Sequence, residues 1–246
     1  MNNKTLKAGI NYEMKDIDLD LVNIDSSEYK SLIDFYRSVG DENFPCLFAR
    51  KSFKKKSIKF LFCKTKYDFL EGMIDFTNFV RSNEQIYIYL SPLVVIFSEE
   101  IYLKGLQHKI GWELLNWIHE RDIEPWPNEI PTDPNDSNWT FCFNGVPLFI
   151  NISSSDHKVL LSRNLGKDLY FIINPRANFD YVASVETKSG KLIRQQIRTR
   201  VAEYNSEEAS KVLGFYGEKD NLEWKQYQLP EIDLPSPILC PFNFKK

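Results

Sequence analysis

The residues best suited to chemistry lie between Trp139 and Arg200. A predicted strand ends at Ile150-Asn151-Ile152, and Ser153-Ser154-Ser155-Asp156 leads from it to His157. Ser155 or Asp156 can cap a short helix over 157–162, which would set the imidazole in a first turn, facing a pocket. A neutral imidazole in that position can ligate a metal or the iron of a haem. A capping or surface histidine is the ordinary alternative. Arg163 and Arg176 bracket a second predicted strand, 169–173, and could converge at one rim, where guanidinium forks suit carboxylates such as haem propionates. Arg194 and Arg198 are four residues apart on a predicted helix and so share a face, with Arg200 nearly opposite Arg198. Ordinary salt bridging or solvation is the plain reading of all these arginines.

Two cysteines sit beside prolines, Pro45-Cys46 and Cys240-Pro241. Cysteine is most often a small buried hydrophobe. As a thiolate it could ligate iron, provided that a donor lies near the sulfur. The four cysteines, Cys46, Cys63, Cys142 and Cys240, are widely spaced. Residues 1–18 are polar and show no export signal, so the expectation is reduced thiols in a cytoplasmic protein.

The elements that must position these groups follow from periodicity. Ser26-Ser27 caps a helix to about Val39, and Asp68 caps one carrying Phe69, Met73, Phe76 and Val80. The longest predicted helix runs from Glu99 to Arg121. One of its stripes holds Leu103, Leu106, Ile110, Leu114 and Trp117, and another His108, Trp112, Leu115 and His119, which implies burial between two layers. Strands are predicted over 57–63, 85–90, 93–97 and 169–173. Asn144-Gly145 marks a hairpin within 139–152. Residues 45–49 are ambiguous, 123–138 form a long loop, and 188–191 a turn ahead of a helix over 192–205. The tail, with Pro230, Pro235, Pro237 and Pro241, is expected to lie extended over the body. Strands and helices do not alternate strictly, so a doubly wound parallel sheet is not indicated. The expected fold is α+β: a mixed, mainly antiparallel sheet with packed helices, in a single domain over 26–246 after an extended segment, 1–25.

Composition narrows the function. Hydrophobic residues are 43% and charged residues 26%, as in ordinary folded chains. The net charge of −3 gives no global attraction to nucleic acid. The basic run Lys51–Lys59 is therefore read as solvated surface. The most apolar run, 86–97, is broken by Ser91-Pro92 and is too short to span a bilayer. No phosphate loop, GxGxxG, HExxH, CxxC or GxSxG occurs, which weakens kinase, nicotinamide-fold, zinc and serine-hydrolase readings. The 14% aromatic content supplies core area, and walls for a flat ligand.

Taken in order, several short pieces resemble the YqcI/YcgG family. They are Phe44-Pro45-Cys46-Leu47-Phe48-Ala49, Trp139-Thr140-Phe141, Phe149-Ile150-Asn151, His157 and Ser162-Arg163-Asn164-Leu165-Gly166. Asn174-Pro175-Arg176, Phe179-Asp180, Ile197-Arg198-Thr199-Arg200 and Cys240-Pro241-Phe242 complete the set. The resemblance implies a haem-dependent N-oxygenase. Such an enzyme would use haem b to hydroxylate or oxidise an amine or guanidine nitrogen of an amino-acid-like substrate with O2. On that reading His157 is the axial ligand, with His108, His119 and Cys46 as rivals. Arg163 and Arg198 clamp the propionates, Arg176 stands in reserve, and Trp112, Trp139, Phe141 and Phe149 line the haem or substrate slot. No flavin or iron–sulfur motif is visible, so electrons would come from an external donor. A small-molecule-binding protein of the same fold without catalysis is the alternative.

Overall fold

Strands β2 (Lys59–Cys63) and β3 (Leu93–Phe97) are buried along their whole length, which requires cover on both faces of the sheet. The computed structural model describes residues 5–102, 105–184, 186–206, 213–214, 216–219, 221–231 and 237–244. With β1 (Asn11–Glu13), β4 (Phe141–Phe143), β5 (Val146–Ser153) and β6 (Leu169–Pro175), these strands form one sheet in the order β1-β2-β3-β6-β5-β4. Only β2 and β3 run parallel; every other pairing is antiparallel. Among the described residues there are eight α-helices, and the architecture is α+β.

The period of two along each strand divides the core between the faces. Leu61, Val95, Phe171 and Ile150 join the core on one face with Phe69, Met73 and Phe76 of α3 (Lys66–Ser82) and Leu114, Leu115 and Ile118 of α5 (Gln107–His119). Phe60, Phe62, Val94, Ile96 and Tyr170 pack on the other with Leu32, Phe35 and Val39 of α1 (Ser27–Gly40). Beyond α1 this second face is covered by α2 (Leu47–Lys54), α6 (Ala177–Ala183) and α7 (Lys188–Tyr204), and the cover is incomplete, leaving a cavity described below.

Local chemistry accounts for most boundaries. The Ser26 hydroxyl accepts from Tyr29 N at 3.1 Å and starts α1. The cap of α3 is Thr65 rather than Asp68; Asp68 is the third residue of a capping box and accepts from Thr65 N at 2.7 Å. Asn144 and Gly145 take φ of 51° and 70°, the paired left-handed conformations of a tight hairpin, and join β4 to β5 as predicted.

Other expectations are corrected. Residues 85–90 hold a short helix, α4 (Gln85–Ile88), not a strand: Ile86 and Tyr87 are exposed, and of the helix only Ile88 is buried. Helix α5 starts at Gln107 instead of Glu99, since Leu106 is non-helical at φ −119° and ψ 10°. Leu103 and Pro235, named in the sequence patterns, lie outside the described residues. Helix α7 starts at Lys188, capped by Thr187, so the predicted turn is its first turn. There Gly190 lets α7 approach α6: a Cβ on it would lie 2.0 Å from Ser184 O. The ambiguous segment becomes α2, and α6 was not anticipated. The last helix, α8 (Trp224–Tyr227), leads into the tail. Among the described residues no helix is long and apolar enough to cross a membrane.

Candidate functional site

The second face of the sheet carries a half-enclosed cavity of about 290 Å³. Its floor is Val94, Phe149, Asn151, Ile172 and Asn174, which share one face because Phe149 pairs with Asn174 and Asn151 with Ile172 in register. Phe35 and Val39 of α1 close one side, and Cys46, Phe48 and Ala49 at the start of α2 another. Phe179 of α6 and Arg194, Ile197, Arg198 and Val201 of α7 form a further part of the wall. The lining is mostly apolar, with a few polar groups at fixed places, as in small-molecule sites.

Cys46 is the N-cap of α2, and its Sγ accepts from Ala49 N at 3.4 Å. Burial pushes the thiol up. The N–H groups of Ala49 and Phe48 and the guanidinium of Arg163 pull the other way. The sulfur thus has the donors that a thiolate ligand needs.

Arg163 is buried on the same wall and donates to Gln226 O at 3.0 Å and Tyr227 O at 3.2 Å. Burial lowers its pKa to about 9, opposed by Cys46. No carboxylate among the described residues pairs with it. A buried cation without an anion costs about 3–5 kcal/mol, so this site suits an incoming anion. Helix α7 brings Arg194 and Arg198 to the wall together, while Arg200 turns away to donate to Glu42 O and Phe44 O, each at 3.0 Å. Arg194 Nε also donates to Ala183 O at 2.5 Å, fixing α7 on α6.

The other candidates lie elsewhere. His157 is buried but is not on the cavity wall. The expected helix at 157–162 is replaced by turns and a 3-10 turn at Leu161–Arg163, and Glu231 of the tail accepts from the N–H groups of Lys158, Val159 and Leu160. His157 Nε2 lies 2.8 Å from Leu229 O and Nδ1 lies 3.3 Å from Ser154 O. Carbonyls only accept, so Nε2 donates and the Nδ1 lone pair points at an oxygen; neither nitrogen is turned to open space. His157 thereby ties the tail to the loop after β5. Its ring packs 5.1 Å from that of His108. Burial lowers both pKa values, that of His108 to about 3.

His119 packs against Trp126, Phe242 and Phe244 in the core. Trp112, Trp139 and Phe141 belong to the core cluster on the opposite face, and Trp139 is fully buried. Arg176 is not on the wall either. Its Nε lies 3.1 Å from Glu223 Oε2, and its guanidinium stacks 4.0 Å from the centre of the Tyr216 ring. Glu223 accepts from Thr140 Oγ1 at 2.5 Å and Tyr227 OH at 3.0 Å, and burial raises its pKa to about 7. The structure therefore brings Cys46, Phe149, Arg163, Arg194 and Arg198 together. Asn151, Asn174 and Phe179 were missed as wall residues. The strand phase that places Phe149 on this face also placed the two asparagines, whereas nothing signalled α6.

The donor set agrees with a flat apolar macrocycle bearing carboxylates: apolar walls, one thiol with N–H donors at its sulfur, and three guanidinium groups. Among the described residues no group of three or more His, Cys, Asp or Glu could hold a bare metal ion.

Three known proteins are similar to the chain over most of its length. A Streptomyces lavendulae protein named "Putative N(omega)-hydroxy-L-arginine synthase DcsA" is 38% identical over 213 residues, covering 83% of this chain and 80% of that protein. Two Bacillus subtilis (strain 168) proteins, the uncharacterized YcgG and YqcI, are each 30% identical, over 224 and 218 residues. They cover 85% and 83% of the chain, and the same shares of the two proteins. No solved structure matches. The sequence profile of the YqcI/YcgG family matches residues 35–243, and the chain belongs to that family.

Proposed function

We propose that the chain is a haem-dependent N-oxygenase that hydroxylates an amine or guanidine nitrogen of an amino-acid-like substrate. The carrying observation is the cavity itself, where the Cys46 sulfur and the unpaired Arg163 guanidinium share one apolar wall. The name of the Streptomyces relative supports an arginine-like substrate. The overall change is R–NH2 + O2 + two electrons + two protons giving R–NHOH + H2O. When bound, haem supplies activation of O2, chemistry that no side chain of this protein can perform.

The protein's own part is binding and order. Cys46 is our choice of iron ligand over His157, His108 and His119, because it alone of the four lines the cavity. The N–H groups of Ala49 and Phe48 would favour a negative sulfur there, against the burial that pushes the thiol up. Arg163, Arg194 and Arg198 take the carboxylates, and Phe149 and Phe179 exclude water. Asn151 and Asn174 offer amide groups to a polar substrate.

The test is an absorbance scan after expression with a haem precursor, or after adding hemin. A Soret band is expected, altered in Cys46→Ala and retained in His157→Gln. Absence of the band in both preparations overturns the reading. Mass spectrometry of arginine, lysine and related amines, with reductant and O2, should show added oxygen. A loaded protein without product would instead be a binding protein.

A further inference from the structure

We propose that the outer face of α2 is the docking surface for an acidic electron-transfer protein of the ferredoxin or flavodoxin kind. This rests on the haem reading above. The chain carries a net charge of −3, yet no acidic residue occurs from Asn43 to Tyr67. Within that stretch Arg50, Lys51, Lys54, Lys55 and Lys56 place five cations in seven residues. Arg50 with Lys54, and Lys51 with Lys55, are four apart, so they form two adjacent rows on one side of the helix. The four lysines are exposed. Lys56 sits at φ 53°, a left-handed position where glycine or asparagine is the usual choice, and there adds a charge instead.

These cations are unlike their neighbours. Lys59 pairs with Glu13 at 3.0 Å and Lys64 with Glu28 at 3.0 Å. None of the five has an ion-pair partner among the described residues; Lys51 only lies 5.7 Å over the Tyr89 ring. A patch of unneutralised charge steers and orients an oppositely charged partner.

Position decides which partner. Cys46, the N-cap of this helix, is on the cavity wall together with Phe48 and Ala49. Eight residues of helix are about 12 Å long, so a partner seated on this face lies close to the thiol end of the cavity. The reaction consumes two electrons. Two one-electron donors, each oxidised once, would supply them there. Nucleic acid fits less well, because the chain as a whole is acidic. A membrane surface fits less well too, because no large hydrophobic residue is exposed between 43 and 66 to enter it.

The test compares the wild type with Lys51→Glu/Lys54→Glu/Lys55→Glu, and with the milder Lys→Gln triple variant in case reversal disturbs the helix. An acidic [2Fe–2S] ferredoxin is titrated into each by calorimetry, at low and high salt, with duplex DNA and phosphatidylserine vesicles as parallel probes. Ferredoxin should bind the wild type at low salt, at least about tenfold more weakly in both variants, and not at high salt. This arm needs no haem, so it stands even if the function proposed above fails. In the loaded protein, reduction by dithionite should be equal in all three. Reduction by ferredoxin and its reductase should be at least about tenfold slower in the variants. Equal ferredoxin binding or equal ferredoxin-driven rates in the variants would overturn the proposal. So would DNA or vesicles binding the patch more tightly than ferredoxin. Product formation with dithionite but no ferredoxin binding would sink the docking surface alone.

Discussion

Glu223 offers a sharp test of how the buried polar groups are balanced. Its carboxylate is 2% exposed and held by Thr140, Tyr227 and Arg176, yet desolvation outweighs these partners and lifts its pKa from 4.5 to about 7. The folded protein therefore holds the proton more tightly than the unfolded chain. That contribution is whole below about pH 4.5 and is lost as pH rises through about 7. At about 1.4 kcal/mol per pKa unit the total is about 3 kcal/mol, most of it falling between pH 5 and 8.5. Glu223→Gln keeps an acceptor for Thr140 and Tyr227 but cannot ionise. Urea unfolding of both proteins across pH 5 to 8.5, followed by tryptophan fluorescence, isolates the effect, because other titrating groups cancel in the difference. The wild type should lose about 2–3 kcal/mol relative to the variant over this range. A flat difference would refute the reasoning. A difference of opposite sign would mean that the Arg176 pair, not desolvation, sets the protonation state.

Other outcomes follow from the same geometry. His108 is held neutral by burial, so its share of stability is present above pH 6.5 and falls as acid approaches its folded value of about 3. The wild type should lose about 2 kcal/mol more than His108→Phe between pH 7 and 5, read from urea midpoints. Gly190→Ala would drive a methyl group into Ser184 O. It should cost about 1–3 kcal/mol in thermal or urea unfolding and weaken hemin binding, since α7 carries Arg194 and Arg198. Thr187→Ala, which removes the cap of α7, should cost about 1 kcal/mol and leave the hemin spectrum itself unchanged.

What the sequence discloses is what local chemistry decides. Ser26, the stripe of Phe69, Met73 and Phe76, and Asn144-Gly145 each specify their element within a few residues. The alternation around Ile86, Ile88 and Leu90 misleads, because so short a run cannot separate a strand from one helical turn. The segment after Ile152 is held from more than 70 residues away: Glu231 accepts from the N–H groups of Val159 and Leu160, and Leu229 O accepts from His157 Nε2. For the same reason the histidine looked open when it is tied down. Arg163 and Arg198 were legible as candidates, but their meeting with Cys46 depends on how α2 and α7 cross the sheet, which no local pattern encodes. Arg176 and Trp139 had the right residue types and the wrong side or partner.

The sheet also ends in a particular way. Both outermost strands, β1 and β4, are three residues long. Each therefore presents only a few unpaired peptide groups, too short a template for another chain to extend. Strand-to-strand joining of concentrated chains through β1 or β4 is thus disfavoured, even though the interior strands β2, β3 and β6 are among the most apolar segments of the protein.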